Sequence, residues 1–447
     1  WNSKDFEIFD WERDGTRLKG ALKNNKIRIF KEPGIGSGLE YNIAKIEPYP
    51  FQEEILQKLE RDRAHGRKRN LIVAATGTGK TIISAVDYRR YVSKNQGKKN
   101  RLLFIAHRKE ILERSLVTFR MVLQNRNFGE LLTGDETPQN YDHLFATIQS
   151  LKKIYEHVPV DYFDYVVVDE VHHGAAESYE RPLTYFKPDI LLGLTATPER
   201  MDGQDITKFF DDTIATELRL SEAIDRSLLV PFNYYGVTDP VDISQMKFQR
   251  GRYDTAELEQ LYVGNKGRIN AVLNAINDYR PNLNEIKGLG FCVSIDHAEY
   301  MANEFNDAGI PSIALTSRSP QEVRETAQTK LVNGEIKFIF SVDLYNEGVD
   351  IPQVNTELML RPTESMTIFI QQLGRGLRKS EGKEELLVLD FIGQAHKSYT
   401  MNERKLEYLT AASSKTVSAK IKQGFSGLPQ GCFIKLESVA KEYILAK

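Results

Sequence analysis

Ala74-Ala75-Thr76-Gly77-Thr78-Gly79-Lys80-Thr81 is the stretch whose reading decides the fold. An apolar run, Leu71-Ile72-Val73, precedes it and reads as a short buried strand. Ile82-Ile83-Ser84-Ala85-Val86 follows and reads as the first turns of a helix. A strand, a glycine-rich loop and a helix with Gly-Lys-Thr at the turn make a phosphate-cradling P-loop. In Thr76-Gly77-Thr78-Gly79 the glycines let successive backbone N–H groups converge on an anion. The new helix points the positive end of its dipole at the same place. Lys80 is expected to reach the β- and γ-phosphates, and the Thr81 hydroxyl to bind Mg²⁺. The first glycine of the general pattern is Ala74 here, and the tight turn depends more on Gly77 and Gly79. A chance glycine-rich turn is the plainer alternative; the strand before and the helix after argue against it.

The 447 residues leave room for more than one domain around this loop. Hydrophobic residues at 41% and charged ones at 27% are the balance of an ordinary globular protein. Lys+Arg 60 against Asp+Glu 62 gives a net charge of -2, so no global basic field announces nucleic acid and any such site must be a local groove. Cys292 and Cys432 lie far apart without metal-ligand spacing, which fits a reducing cytosol and argues against a zinc site or a disulfide framework. No apolar run approaches the ~18 residues that span a bilayer, and no signal peptide opens the chain. The expectation is a cytoplasmic protein with no membrane partner. Trp1 in place of Met suggests a fragment of something longer.

Residues 1–45 mix aromatics with charge, and Lys26-Ile27-Arg28-Ile29-Phe30 alternates as a half-buried strand would. They are read as the tail of an accessory domain and a linker. Pro50-Phe51-Gln52 opens a helix reaching about Arg61, and the basic cluster from Arg61 to Arg69 reads as a solvated turn. Leu102–Ala106, Leu144–Ile148, Tyr165–Val168 and Leu191–Thr195 are further buried strands. Runs of this kind separated by helices predict a parallel sheet covered on both faces. Ligands of such sheets bind at the carboxyl ends of the strands. Lys80, His107, Arg108, Thr147, Asp169, Glu170 and Thr195 collect there. From about 226 to 275 the pattern loosens into a connection with short helices. A second α/β alternation follows, with strands at Leu289–Val293, Ser312–Leu315, Lys337–Phe340, Val354–Leu360 and Leu386–Leu389, but no second P-loop. The expected fold class is α/β, with two tandem parallel-sheet domains at 46–225 and 276–395 and a nucleotide cleft between them. An extension at 396–447 carries Lys415, Lys420 and Lys422.

Three further clusters carry chemistry. Asp169-Glu170 ends a valine-rich strand. Phosphoryl transfer needs one carboxylate in the Mg²⁺ shell and a second group that orients and deprotonates water, and Asp169 and Glu170 suit these roles in that order. Two acids capping a strand would be the better reading without the P-loop upstream. His172 lies two residues from the proposed base and is placed to bridge to Thr195-Ala196-Thr197. His173 is read as structural. Gln371-Gln372-Leu373-Gly374-Arg375-Gly376-Leu377-Arg378 would set Gln371, Gly374, Arg375 and Arg378 on one helix face. Two arginines one turn apart suit the charge that builds on a transferring phosphoryl group. A solvated basic face explains the arginines but not Gln371 and Gly374. Ser341-Val342-Asp343 through Glu347-Gly348-Val349-Asp350 follows a strand and suits a ribose edge, with a plain turn as the alternative.

Taken in order, a glutamine before the P-loop, TGTGKT, the strand-end His-Arg-Lys, DEVH, TATPER, the Glu-Gly-Val-Asp turn and QQLGRGLR resemble the superfamily 2 helicases and translocases over about residues 46–395. Within that superfamily, DEVHH with GLTATPER is similar to the XPB-like repair helicases and the type I/III restriction translocases, which act mainly on double-stranded DNA. The resemblance implies two RecA-like domains, ATP and Mg²⁺ as cofactors, and DNA-dependent ATP hydrolysis. It implies that Gln52 reads adenine, that Thr81 and Asp169 hold the metal, and that Glu170 and His172 serve catalysis and coupling. Gly348 and Asp350 would touch the nucleotide from the second domain, and Gln371, Arg375 and Arg378 would complete the catalytic set, with Arg378 the finger. Arg108, Thr133, Thr147, Ser294 and Ser341 fall where the family contacts nucleic-acid phosphates. Tyr49-Pro50-Phe51 replaces the usual arginine-proline-tyrosine before Gln52, which puts adenine stringency in question. The flanks are similar to a bacterial helicase family with an upstream phospholipase D-like nuclease domain, implying a nuclease in the same longer chain and a role in repair or defence. An RNA helicase and an ATP-gated assembly module are the rival readings.

Overall fold

A computed structural model describes residues 46–446 apart from 156, 172–176, 197–205, 281, 317–318, 343–350 and 413. These residues separate into two compact units, the first ending at Arg219 and the second beginning at Leu220. In the first, α1 (Pro50–Ala64) leads to β1 (Arg69–Ala74), α2 (Lys80–Lys94), β2 (Leu102–Ala106) and α3 (Lys109–Leu123). Then come β3 (Glu130–Leu132), β4 (His143–Thr147), β5 (Tyr165–Val168), β6 (Ile190–Thr195) and β7 (Thr216–Leu218). The strands form one sheet in the order β3-β4-β2-β5-β6-β1-β7, every neighbouring pair parallel. β2, β5 and β6 are buried at every position, as strands covered on both faces must be. Because all strands run the same way, their carboxyl ends line one edge.

The second unit repeats this plan. β8 (Phe232–Thr238), the hairpin strands β9 (Phe248–Gln249) and β10 (Arg252–Tyr253), α4 (Lys266–Tyr279), β11 (Gly288–Phe291) and α5 (Ile295–Asp307) come first. β12 (Ser312–Leu315), β13 (Phe338–Ser341), β14 (Thr356–Met359), α6 (Met366–Gly376), β15 (Leu386–Ile392), α7 (Met401–Thr410) and β16 (Phe433–Leu436) follow. The sheet order is β12-β13-β11-β14-β15-β8-β16, again parallel throughout.

Three features depart from the sequence reading. The stretch 226–275 is more than a connection, because β8 lies inside the second sheet between β15 and β16. In α4, Ile269, Val272 and Ile276 join the core built on Phe338, Phe340 and Leu389. β8 buries most of its alternate residues only, so its run of Asn, Tyr and Gly lacks the continuous apolar signal of its neighbours. The stretch 396–447 returns as β16, which pairs with β8 and buries only Ile434 well. Within the basic cluster, Arg63 is not solvated. Its guanidinium donates to both oxygens of Asp87 at 2.7 Å and to Asn70 Oδ1 at 2.9 Å, while the Tyr165 hydroxyl donates to Asp87 Oδ2. That network ties α1 to the P-loop helix and to β5. The strand expected at Lys26–Phe30 and the side chain of Lys415 lie outside the described residues. Among the described residues no helix is long and apolar enough to cross a membrane.

Candidate active site

The P-loop joins β1 to α2 through two left-handed glycines, Gly77 at φ 93° and Gly79 at φ 83°. Gly79 also has no room for a side chain, since a Cβ there would lie 2.6 Å from Gln52 Nε2. Gln52 sits 1% exposed on α1; its Oε1 accepts from Tyr49 N–H at 2.9 Å and its Nε2 donates to Thr78 O at 3.0 Å. The carboxamide thus braces the loop, with one amide hydrogen left for a ligand. The Thr78 hydroxyl donates to Ala75 O at 2.7 Å, and Lys80 Nζ donates to Ala74 O at 3.1 Å. Thr76 Oγ1 is buried in the loop with no hydrogen-bond partner. A loop with an orphaned hydroxyl, two left-handed glycines, a tethered ammonium and a helix N-terminus fits an anion of phosphate chemistry.

β6 separates β1 from β5, so the P-loop and the Asp169-Glu170 pair stand two strands apart on the same sheet edge. Asp169 is 7% exposed and its N–H donates to Ile105 O at 2.9 Å. Burial, reinforced by the Glu170 charge, pushes its carboxyl up to about 7 against the pull of the Lys80 ammonium, the Glu170 N–H and His107. His107, directly after β2, lies on the same sheet edge, as its place among the strand-end polar residues of the sequence led one to expect. Glu170 has φ 49°, left-handed for a residue with a long side chain, and its N–H donates to Asp169 Oδ1 at 3.0 Å. Such strain concentrates at functional sites. Among the described residues no group of three or more His, Cys, Asp or Glu side chains is set to hold a metal alone. Mg²⁺ asks less of the protein, one or two oxygens beside those of phosphate and water, and Thr81 and Asp169 match that demand. His172 and Thr197 lie outside the described residues; Thr195 ends β6, fully buried.

In the second unit Gln371 and Gln372 are buried on α6, and Arg375 is partly buried in its last turn. Arg378 lies past the helix end, its N–H donating to Arg375 O at 3.4 Å, so the expected single helical face stops short of it. Gly348 and Asp350 are outside the described residues. Of the proposed nucleic-acid contacts, Arg108 is exposed at the N-terminus of α3, and Ser294 caps α5 by accepting from His297 N–H at 3.1 Å. Thr133, Thr147 and Ser341 are buried. Thr133 Oγ1 accepts from Glu136 N–H at 3.1 Å, Thr147 donates to Ser150 Oγ at 2.8 Å, and Ser341 Oγ has no partner.

Two family models match the chain. Residues 45–200 match "Type III restriction enzyme, res subunit", and residues 268–380 match "Helicase conserved C-terminal domain". A Saccharomyces cerevisiae protein named as an ATP-dependent helicase, IRC3, is 27% identical over 355 residues, covering 77% of this chain and 51% of that protein. The EcoAI type I restriction enzyme endonuclease subunit of Escherichia coli is 27% identical over 394 residues, covering 77% of this chain and 46% of that protein. The chain therefore spans about half the length of these curated relatives. The fold of the Type ISP restriction-modification enzyme LlaBIII bound to DNA superposes with a TM-score of 0.67 at 16% identity, covering 90% of this chain and 32% of that one. Two all-parallel α/β units in tandem are the RecA-like pair of such proteins. With its P-loop, its acidic pair and its arginine helix in these places, the chain belongs to superfamily 2 of the helicases, with the restriction-enzyme group among its relatives.

Proposed function

We propose that the protein is an ATP-dependent DNA translocase or helicase that couples hydrolysis to movement on double-stranded DNA, in repair or in defence against foreign DNA. The observation that carries this reading is the P-loop two strands from a buried Asp169 and a backbone-strained Glu170 on the same sheet edge. A sheet edge of this composition has no need of two acids unless a metal-bound phosphate joins them. In this reading the loop amides and Lys80 hold the β- and γ-phosphates, Gln52 meets adenine, and Thr81 and Asp169 hold Mg²⁺, which neutralises phosphate charge when bound. Glu170 orients and deprotonates the attacking water. Gln371, Arg375 and Arg378 of the second unit meet the charge of the transferring group. Arg108 and the Ser294 turn contact backbone phosphates, a sequence-independent and salt-sensitive grip. DNA is favoured by the restriction-enzyme relatives, one of them solved bound to DNA.

The test is the steady-state ATPase rate without nucleic acid and with single-stranded DNA, duplex DNA or RNA, each at two salt concentrations. Strong stimulation by duplex DNA that falls with salt is expected. Stimulation by RNA alone would move the protein to RNA remodelling, and stimulation by none would favour an ATP-gated assembly module.

A further inference from the structure

The end of α6 is closed by a half-buried lysine, Lys383, to which the catalytic reading gives no role. Lys383 Nζ donates to Pro352 O at 3.0 Å, to Arg378 O at 2.9 Å and to Gly376 O. Three acceptors match the three N–H groups of an ammonium. The last carbonyls of a helix lack intrahelical partners and carry the negative end of its dipole, so a cation is what this end requires. The carbonyl between, Leu377 O, accepts from Val230 N–H at 2.9 Å. The backbone carbonyls of Gly376 to Arg378 are therefore all held, although Arg378 itself has left the helix. Pro352 lies two residues after the Gly348–Asp350 segment. One side chain thus joins the two stretches of the second unit to which nucleotide contacts are assigned.

Glu357 lies beside this junction. It sits at the middle of the sheet on β14, paired with Leu289 and Val388, and is 0% exposed. The Gly376 N–H acts on its carboxyl, yet neither oxygen reaches full hydrogen-bond geometry with any donor. Burial pushes Glu357 up to about 8 and Lys383 down to about 7, and the charge of each opposes the shift of the other. Gly376 allows the approach, because a Cβ there would lie 2.6 Å from Glu357 Oε1. Buried acids persist where a compensating cation stands near. A plain helix cap needs neither a buried acid beneath it nor a third bond to a distant loop.

We infer that Lys383, with Glu357 beneath it, is a positioning residue that pins Pro352 to the Gly376–Arg378 backbone and so fixes the two arginines for turnover. The inference rests on the reading of Arg375 and Arg378 as the groups that meet the transferring phosphoryl. Its test is Lys383→Met in the full chain, with amide hydrogen exchange over 351–355, 372–379 and 74–81, and with kcat and KM for ATP in saturating duplex DNA. Exchange should rise in the first two segments and not in the P-loop. kcat should fall on the order of 10²-fold, the scale of an ångström-level misplacement, with KM for ATP near the wild-type value. Lys383→Arg, which keeps the charge, should recover part of the loss. If Lys383→Met folds poorly, Lys383→Met with Glu357→Gln removes the stranded acid and is read in the same way. Unchanged exchange in either segment overturns the pin. Raised exchange with unchanged kcat reduces Lys383 to a helix cap and overturns its positioning role. A wild-type chain without ATPase activity would overturn the functional reading alone, and the exchange result would still decide the pin.

Discussion

Glu170 holds a backbone conformation that its side chain disfavours, at φ 49°. Left-handed geometry outside glycine costs on the order of 1–3 kcal/mol and persists where surroundings impose it. Two substitutions separate strain from chemistry. Glu170→Gly should be more stable than Glu170→Gln by about 1 kcal/mol, read as a shifted urea midpoint, because glycine accepts this φ freely. Both should bind ATP and neither should turn it over, since the water loses its base. Normal turnover in Glu170→Gln would remove Glu170 from that role. Arg378→Ala should lower turnover by ~10³-fold or more, the usual loss for an arginine finger. A weak effect there, with a large one at Arg375, would exchange the two assignments. The places of Lys80, Asp169 and Glu170 just beyond strand ends were legible in the sequence, because the apolar runs before them mark where the strands stop. Lys383 was not, because its partners are backbone carbonyls, which leave no mark on residue identity.

At the scale of elements, what holds the P-loop helix matters as much as the loop. Asp87 projects from α2 and is 1% exposed, and Arg63 of α1 is its bidentate partner. Removing one member of a buried pair strands the other charge, so Arg63→Met should cost about 3–5 kcal/mol in urea unfolding. Arg63→Met with Asp87→Asn should cost clearly less, because no full charge is then left buried. Equal losses in the single and double variants would show that packing of the arginine stem, not charge, is what α1 contributes. The sequence offered no hint of this pair, whose members lie on different helices and meet only once both pack on the sheet. It showed the inner strands well, because Leu102–Ala106 and Tyr165–Val168 are apolar at every position, as burial on both faces requires. Edge and near-edge strands are held by hydrogen bonds more than by apolar burial. β16, with Phe433 46% exposed, therefore leaves no strand signal in the sequence although it completes the second sheet.

For the whole molecule, each unit holds a histidine below its ordinary value, which makes stability depend on pH. His297 at the start of α5 is fully buried, its Nδ1 3.2 Å from Val293 N–H and its Nε2 3.1 Å from the Arg268 guanidinium. Both ring nitrogens have donors for neighbours, so the one N–H of the neutral ring already lacks an acceptor there and a second would add to the cost. Burial, then the Arg268 charge, holds this ring well below the ordinary value of 6.5. Burial also lowers His143 in the first unit. Below the unfolded value the unfolded chain takes up a proton that the folded ring refuses, so stability is lost as pH falls. The loss approaches about 1.4 kcal/mol per pH unit until the folded value is reached. Glu357 works in the opposite sense. Its carboxyl, pushed up to about 8, keeps in the folded state a proton that the unfolded chain releases above its ordinary value, so acid favours the fold there. The net acid slope therefore mixes signs, and the difference between wild type and His297→Gln isolates the ring. Measured by urea unfolding of the second unit between pH ~7.5 and ~5.5, wild type should lose stability relative to His297→Gln by about 1 kcal/mol or more. Parallel curves for the two proteins would mean that the ring accepts its second proton in the folded state, and that the contact with Arg268 yields as it does so.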